Sequence, residues 1–476
     1  MRANLKIACK SRWIYMRAAG CCLFVISFLA GFGLTPASGA TDMESWPTTD
    51  DTRRVPIPPH DYSEDPIVVL NGGTLIDGTG NEPIEDAIVI LRGDRIVTSG
   101  AAKDIEIPDS VSQVIDTSNL YILPGLIDLH FHFTTQRGDD YGRYRDSDAA
   151  TAIRGTVLLG QLIDAGITTV RDVGTRNDVA LRFKEAIERR IVDGPRVLWS
   201  GQRIVSRAGH GDEITSAGSG RPKDLGVGAR ERVANGAGDW QLAVREQIRM
   251  HADWIKLTAP YTKEEVAAAI NEAHMHGIPV TVDSFGKYTQ WAAEAGIDCI
   301  EHPLDLTQAI VKSMAKHNTS FVPTLTTFYN VIETGYPVAG VPAGGFYYTM
   351  SRRFPISHEQ HLAAVGWAYK AGLRIGVGTD IPVASEKNYP SAYYTELDFL
   401  KDAGLSDSDV LASATRIGAE ILKMEDKLGT VQAGMLADIL IVGANPMEDI
   451  RNVRDVKLVI ADGRVVRNRL PGKQGN

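Results

Sequence analysis

The chain has 476 residues, 50 Lys+Arg against 59 Asp+Glu and 43% hydrophobic positions, enough apolar material for a large core, so disordered and collagen-like chains are excluded. Its net charge of −9 is spread along the chain without a basic cluster, which argues against a nucleic-acid surface and against polyphosphate partners. A prior of about 150 residues per domain suggests about three domains, but an α/β barrel runs to ~250 residues as one, so one large domain plus a small one also fits.

The first 40 residues stand apart from the rest. Arg2, Lys6, Lys10, Arg12 and Arg17 are positive with no acid among them, and an apolar stretch follows from Ala18 to Leu34. This pattern predicts a signal peptide over 1–40, with Ser38 and Ala40 at −3 and −1 of a cut before Thr41, and hence a periplasmic or secreted protein. Met16 offers an alternative start, and loss of the leader takes the charge from −9 to −14. The alternative is an N-terminal membrane anchor, because 17 apolar residues reach the short edge of a bilayer span. No second span appears downstream, so no membrane contact is expected once the signal is gone. Cys9, Cys21 and Cys22 lie in the leader, leaving Cys299 alone in the mature chain, without an intramolecular disulfide. Cys299 reads as a small buried hydrophobe on a strand.

Residues 41–65 are rich in Asp, Pro and Thr and read as a flexible arm. From 66 to 122 the apolar runs Ile67–Leu70, Ala87–Leu91 and Arg95–Val97, broken by Gly-containing turns, predict a small antiparallel sheet. A matching set, Ala437–Val442, Val456–Ile460 and Val465–Val466, recurs within 428–470, so both termini are expected to build one small β domain before a short tail, 471–476. Over 123–427 the pattern changes. Strands Gly166–Val170, Arg196–Trp199, Trp254–Leu257, Ile278–Val282, Phe321–Thr324 and Arg374–Val377 alternate with helices such as Lys263–His276 and His358–Ala371. Repeated about eight times, this alternation predicts an α/β fold, a (β/α)8 TIM-type barrel, whose chemistry sits at the C-terminal strand ends.

The ends of these strands carry the candidate residues. The first ends in His130 and His132, two residues apart, so that both imidazoles point into the barrel and suggest a metal. Lys256 lies in the fourth, His302 ends the sixth, and Asp380 ends the eighth. A single strand-end histidine is more often structural, so the weight lies in the joint placement.

The motifs Leu123-Pro-Gly-Leu-Ile-Asp-Leu-His-Phe-His132, Gly166-Ile-Thr-Thr-Val-Arg-Asp172, Ala208-Gly-His-Gly211, Asp253-Trp-Ile-Lys256, Ile300-Glu-His302, Gly378-Thr-Asp380 and Leu428–Asp438 occur in this order. They resemble the metal-dependent amidohydrolase superfamily, and most of all its imidazolonepropionase-like and Xaa-dipeptidase-like members, including carboxypeptidase-type and ochratoxin-cleaving enzymes. The resemblance spans nearly the whole mature chain and implies a barrel flanked by a small β-sandwich built from both termini. It also implies that His130, His132 and Asp380 hold one metal, that Lys256 is carboxylated and bridges to a second, and that His302 binds that second metal. Two divalent cations, most simply Zn2+, would activate a hydroxide, with Asp380 as the catalytic base and then acid. An unmodified Lys256 paired to a carboxylate is the alternative.

One position departs from that pattern. Where family members carry a histidine at the end of the fifth strand, this chain has Asp283, a shorter and anionic ligand, so a weak or empty second site is an open alternative. His274 and His276 end the preceding helix and read as structural. His210 faces substrate by resemblance or is an ordinary loop histidine. The aromatic segment 325–356 reads equally as a lid, an apolar pocket or a homo-oligomer contact. The expected function is hydrolysis of amide bonds in dipeptides or N-acyl amino acids, a small-molecule activity. A cyclic-amide, imidazolone-type hydrolase and a catalytically degenerate binding protein are the alternatives.

Overall fold

A computed structural model describes residues 61–134, 147–207, 209–210, 231–303, 305–333, 357–380 and 389–471. The expected signal peptide, the arm up to residue 60, the aromatic segment from residue 334 to 356 and the tail from 472 lie outside the described residues.

The terminal strands form one sheet. The N-terminal part supplies β1 (Ile67–Leu75), β2 (Ile84–Arg92), β3 (Arg95–Ala101), β4 (Gln113–Asp116) and β5 (Tyr121–Pro124). Parallel strands follow: β6 (Leu126–Phe131), β7 (Ile167–Asp172), β8 (Arg196–Trp199), β9 (Arg203–Ser206), β10 (Glu231–Ala234), β11 (Ile255–Thr258), β12 (Val280–Asp283), β13 (Cys299–Glu301) and β14 (Ser320–Val322). The C-terminal part adds β15 (Ile439–Val442), β16 (Val456–Ala461) and β17 (Arg464–Asn468). β5 pairs antiparallel with β15, which joins both ends of the chain in the order β17-β16-β15-β5-β1-β2-β3, with β4 also on β1. The sheet is mixed rather than purely antiparallel, because β1 runs parallel to β4 and β5.

All four residues of β15 are buried, which follows from its two faces. Ile439 and Ile441 pack with Leu70, Val89, Ile122 and Leu458, while Leu440 and Val442 enter the large core with Ile163, Ile167 and Val459. A strand covered on both faces loses polar alternation and reads as a continuous apolar run.

The parallel strands form two sheets, β6-β7-β8 and β10-β9-β11-β12-β13-β14. Backbone bonds join them. Trp254 N–H donates to the Trp199 carbonyl at 3.3 Å, Phe321 N–H to Arg374 at 2.9 Å, and Leu129 N–H to Val377 at 2.8 Å. Arg374–Val377 contributes only a bridge, Ile375 to Phe321, where the sequence predicted a strand. β9 and β10 are additional strands that the apolar pattern did not show. Gly378 is required by close approach: a Cβ there would meet Cβ of His130 at 2.8 Å and Val322 at 2.4 Å.

The crossover helices begin where capping chemistry places them. Thr262 accepts from Glu265 N–H at 3.2 Å, and the Glu265 carboxylate accepts from Thr262 N–H at 2.8 Å, opening the helix Lys263–Met275. Ser357 and Gln360 do the same for His358–Lys370. Among the described residues no helix is long and apolar enough to cross a membrane.

Candidate metal centre

His130 and His132 lie at the C-terminal end of β6, and Asp380 follows the Arg374–Val377 segment that bonds beside it. Oδ1 of Asp380 stands 3.4 Å from Nε2 of His130 and 3.2 Å from Nε2 of His132, all three residues being buried. The remaining ring nitrogens point outward. Nδ1 of His132 faces the Gly174 carbonyl at 3.1 Å, and a carbonyl only accepts, so the proton is on Nδ1. Nδ1 of His130 faces Oε2 of Glu301 at 2.8 Å. Burial would raise the Glu301 carboxyl, but Arg171 and His130 hold it well below the usual range, so it is an acceptor. Burial, with the Lys256 ammonium nearby, pushes the His130 imidazole down to about 3, leaving it neutral.

Nε2 of each ring thus faces Oδ1 of Asp380. Two imidazole nitrogens and a carboxylate oxygen, all within 4.8 Å of one another, are donors of the kind that hold a divalent cation. The residues fit a divalent metal.

Lys256 is the second residue of β11, two residues before its C-terminal end, and is buried. Among the described residues its Nζ has no hydrogen-bond partner. Burial lowers the ammonium's pKa while Glu301, Asp283 and Asp380 pull it up. At the end of β12, Oδ1 of Asp283 stands 3.3 Å from Nε2 of His302 and its Oδ2 lies 3.7 Å from Nε2 of His210. Burial opposes ionisation of Asp283, yet His302, His210 and Lys256 hold it far below the usual carboxylate range. His302 is turned by a contact between Nδ1 and the Thr324 hydroxyl at 3.2 Å. Its ring also packs on His130 and Phe328, each with a centroid separation of 5.0 Å.

Three of these strand-end residues, His302 (φ 36°), Thr324 (φ 49°) and Asp380 (φ 53°), adopt the left-handed region that side chains disfavour. A β-branched residue there is an outlier held by its surroundings, and such outliers gather at functional sites.

Residues 121–466 match the sequence profile of the amidohydrolase family. The chain belongs to that family. It is similar to ochratoxinase of Aspergillus niger, 27% identical over 447 residues, covering 87% of this chain and 88% of the relative. Imidazolonepropionase of Streptomyces coelicolor is 22% identical over 402 residues, 79% of this chain and 90% of that protein. Among solved structures, an Xaa-Pro dipeptidase with methionine bound in its active site superposes with a TM-score of 0.75 at 27% identity, covering 84% of this chain and all of the other. As an amidohydrolase, the protein is a hydrolase acting on carbon–nitrogen bonds.

The structure also brings to this amidohydrolase site residues that the sequence reading left unassigned. Glu301 is buried against His130, Arg171 and Thr281. Asp128 accepts from the N–H of His130 at 3.0 Å, from Thr379 N–H at 3.1 Å and from the Tyr389 hydroxyl, which ties the His130 strand to the segment that carries Asp380. The available signal was an acid inside an apolar strand, which must be paired to be buried. His274 and His276 instead engage Asp298 at 2.8 Å and Glu272 at 3.4 Å, as structural histidines would. Cys299 is buried on β13, its thiol pushed up to about 12 by burial and the Glu301 charge.

Proposed function

We propose that this amidohydrolase cleaves the amide bond of dipeptides or N-acyl amino acids at a site that holds divalent metal. One observation carries this reading: two imidazoles and a carboxylate converge through Nε2 of His130, Nε2 of His132 and Oδ1 of Asp380. His130, His132 and Asp380 would hold one ion, and His302, Asp283 and a carboxylated Lys256 a second. The orphaned, buried Nζ of Lys256 supports carboxylation, since a neutral amine can add carbon dioxide and become an anionic oxygen donor. Bound there, zinc or a similar cation would supply Lewis acidity to the scissile carbonyl.

The chain's own residues supply the rest. Asp380, whose Oδ1 faces the imidazoles, takes a proton on Oδ2 from the attacking water. As the C–N bond breaks it returns that proton to the leaving nitrogen. His302, kept in place by Thr324 and Phe328, and His210, beside Asp283, border the space where the acyl group would lie. The parallel strands and the backbone bonds between their sheets support a closed (β/α)8 barrel with the site at the C-terminal strand ends, beside a small β domain that both termini build as one sheet rather than the expected sandwich. The charged leader and apolar run of residues 1–40 support export.

The names of the relatives favour amide and peptide substrates, and imidazolonepropionase keeps a cyclic amide as the second reading. Turnover on a panel of dipeptides, N-acyl amino acids and cyclic amides, with metal present, tests it. Hydrolysis of linear amides is expected. Turnover confined to cyclic amides would favour the second reading, and inertness towards all three classes would favour a binding protein.

A further inference from the structure

Glu301 ends β13, wholly buried, and its two oxygens keep different company. Oε1 meets only donors: Nη2 of Arg171 at 2.6 Å, the Thr281 hydroxyl and the Cys299 thiol at 3.4 Å. Oε2 faces Nδ1 of His130 at 2.8 Å. Arg171 is itself fixed. Its Nε donates to the Leu129 carbonyl at 2.7 Å, and its guanidinium lies 4.5 Å over the Trp254 ring. A guanidinium has no acceptor, so the atom it faces must be an oxygen.

The geometry points to Glu301 as a positioning residue, oriented by Arg171, that decides which nitrogen of His130 carries the proton. With an acceptor at Nδ1 the ring is Nδ1–H, and its Nε2 lone pair is available beside His132 and Asp380. With a donor there the ring would be Nε2–H and unable to bind a cation. This inference rests on the metal-site reading above, and it assigns to Glu301 and Arg171 a role that a strand-to-strand ion pair would not have. Such outer partners fix the tautomer and orientation of ligating histidines.

Glu301→Gln separates the two roles because it keeps size and shape. Arg171 holds the amide oxygen on its own side, so the NH2 falls opposite Nδ1 of His130. Two donors cannot face each other, and the ring must take the Nε2–H form. Adding Arg171→Met removes the demand for oxygen on that side. The Thr281 hydroxyl can accept from the NH2, the amide turns over, and an oxygen again faces His130.

Zinc affinity of the metal-free proteins, measured by competition with a chelator, gives the test. Glu301→Gln is expected to bind about 10- to 100-fold more weakly than wild type. The double variant Glu301→Gln with Arg171→Met is expected to bind more tightly than Glu301→Gln, although it has lost a further buried interaction. Wild-type affinity in Glu301→Gln, or a double variant no better than the single one, would overturn the proposal. Should either variant fail to fold, two-bond proton–nitrogen spectra of 15N-histidine-labelled, metal-free wild type decide it, with His130 assigned from a His130→Gln sample. An Nδ1–H ring is expected, and an Nε2–H ring overturns the proposal. A wild type that binds no zinc would instead count against the metal reading, and the His130 tautomer would still settle the part played by Glu301.

Discussion

Nε2 of His302 stands 3.3 Å from Oδ1 of Asp283, so that the ends of β12 and β13 meet through an imidazole and a carboxylate. A carboxylate is a harder, anionic donor than imidazole, and it changes the cation that this half of the site prefers. In wild type, occupancy there is expected to depend on added metal and to accept Mn2+ readily. Asp283→His should retain zinc more tightly through gel filtration. Metal counting by mass spectrometry on both proteins checks this, and equal, tight zinc stoichiometry would remove Asp283 from the ligand set.

Lys256 is buried on β11, beside the β12 strand that ends in Asp283, and its Nζ has no hydrogen-bond partner among the described residues. Lys256→Ala should lose metal and turnover together. Short carboxylic acids added to the variant should restore part of both by supplying the missing anionic oxygen. A variant as active as wild type would refute the carboxylated-lysine role.

Asp380→Asn replaces a proton acceptor by an amide of the same size. Turnover should fall by about 10²- to 10⁴-fold, in line with the loss of a general base. Circular dichroism and the unfolding midpoint should stay close to wild type. Rates near wild type would show that the proton goes elsewhere.

Glu396, on the helix Tyr389–Asp402, accepts from the N–H groups of Leu325 at 2.8 Å and Thr326 at 2.7 Å, just beyond the Thr324 that turns His302. Burial raises its carboxyl from 4.5 to about 7, against the downward pull of those two N–H groups. Because the folded value lies above the ordinary one, its contribution to stability is complete below pH 4.5 and is lost as pH rises through about 7. Relative to Glu396→Gln, wild type should lose on the order of 3 kcal/mol between these limits. Urea unfolding of both proteins across that range measures it, and parallel pH curves would contradict it.

The residues that carry the proposed chemistry were legible because polar types break an apolar pattern: His130, His132, His302 and Asp380 each stand at or just beyond the end of an apolar run. Lys256 was legible too, although it sits two residues before the C-terminal end of β11. Their supports were harder to read. Glu301 and His130 are separated by 171 residues and Glu301 and Arg171 by 130, so no local period links them. β9 and β10 escaped notice because each opens with a charge, Arg203 and Glu231, that becomes burial-compatible only through their mutual contact at 2.5 Å. The apolar runs of the terminal sheet predict antiparallel pairing alone, because parallel pairing of β1 with β4 and β5 depends on chain crossings rather than on composition.

The central claim is that amide hydrolysis here depends on a cation held by His130, His132 and Asp380. Its most direct test is the rate of dipeptide hydrolysis by one wild-type preparation before chelation, after exhaustive chelation, and after divalent metal is returned. The account predicts that activity disappears with the metal and comes back with it. Undiminished hydrolysis by protein shown to be metal-free would contradict it.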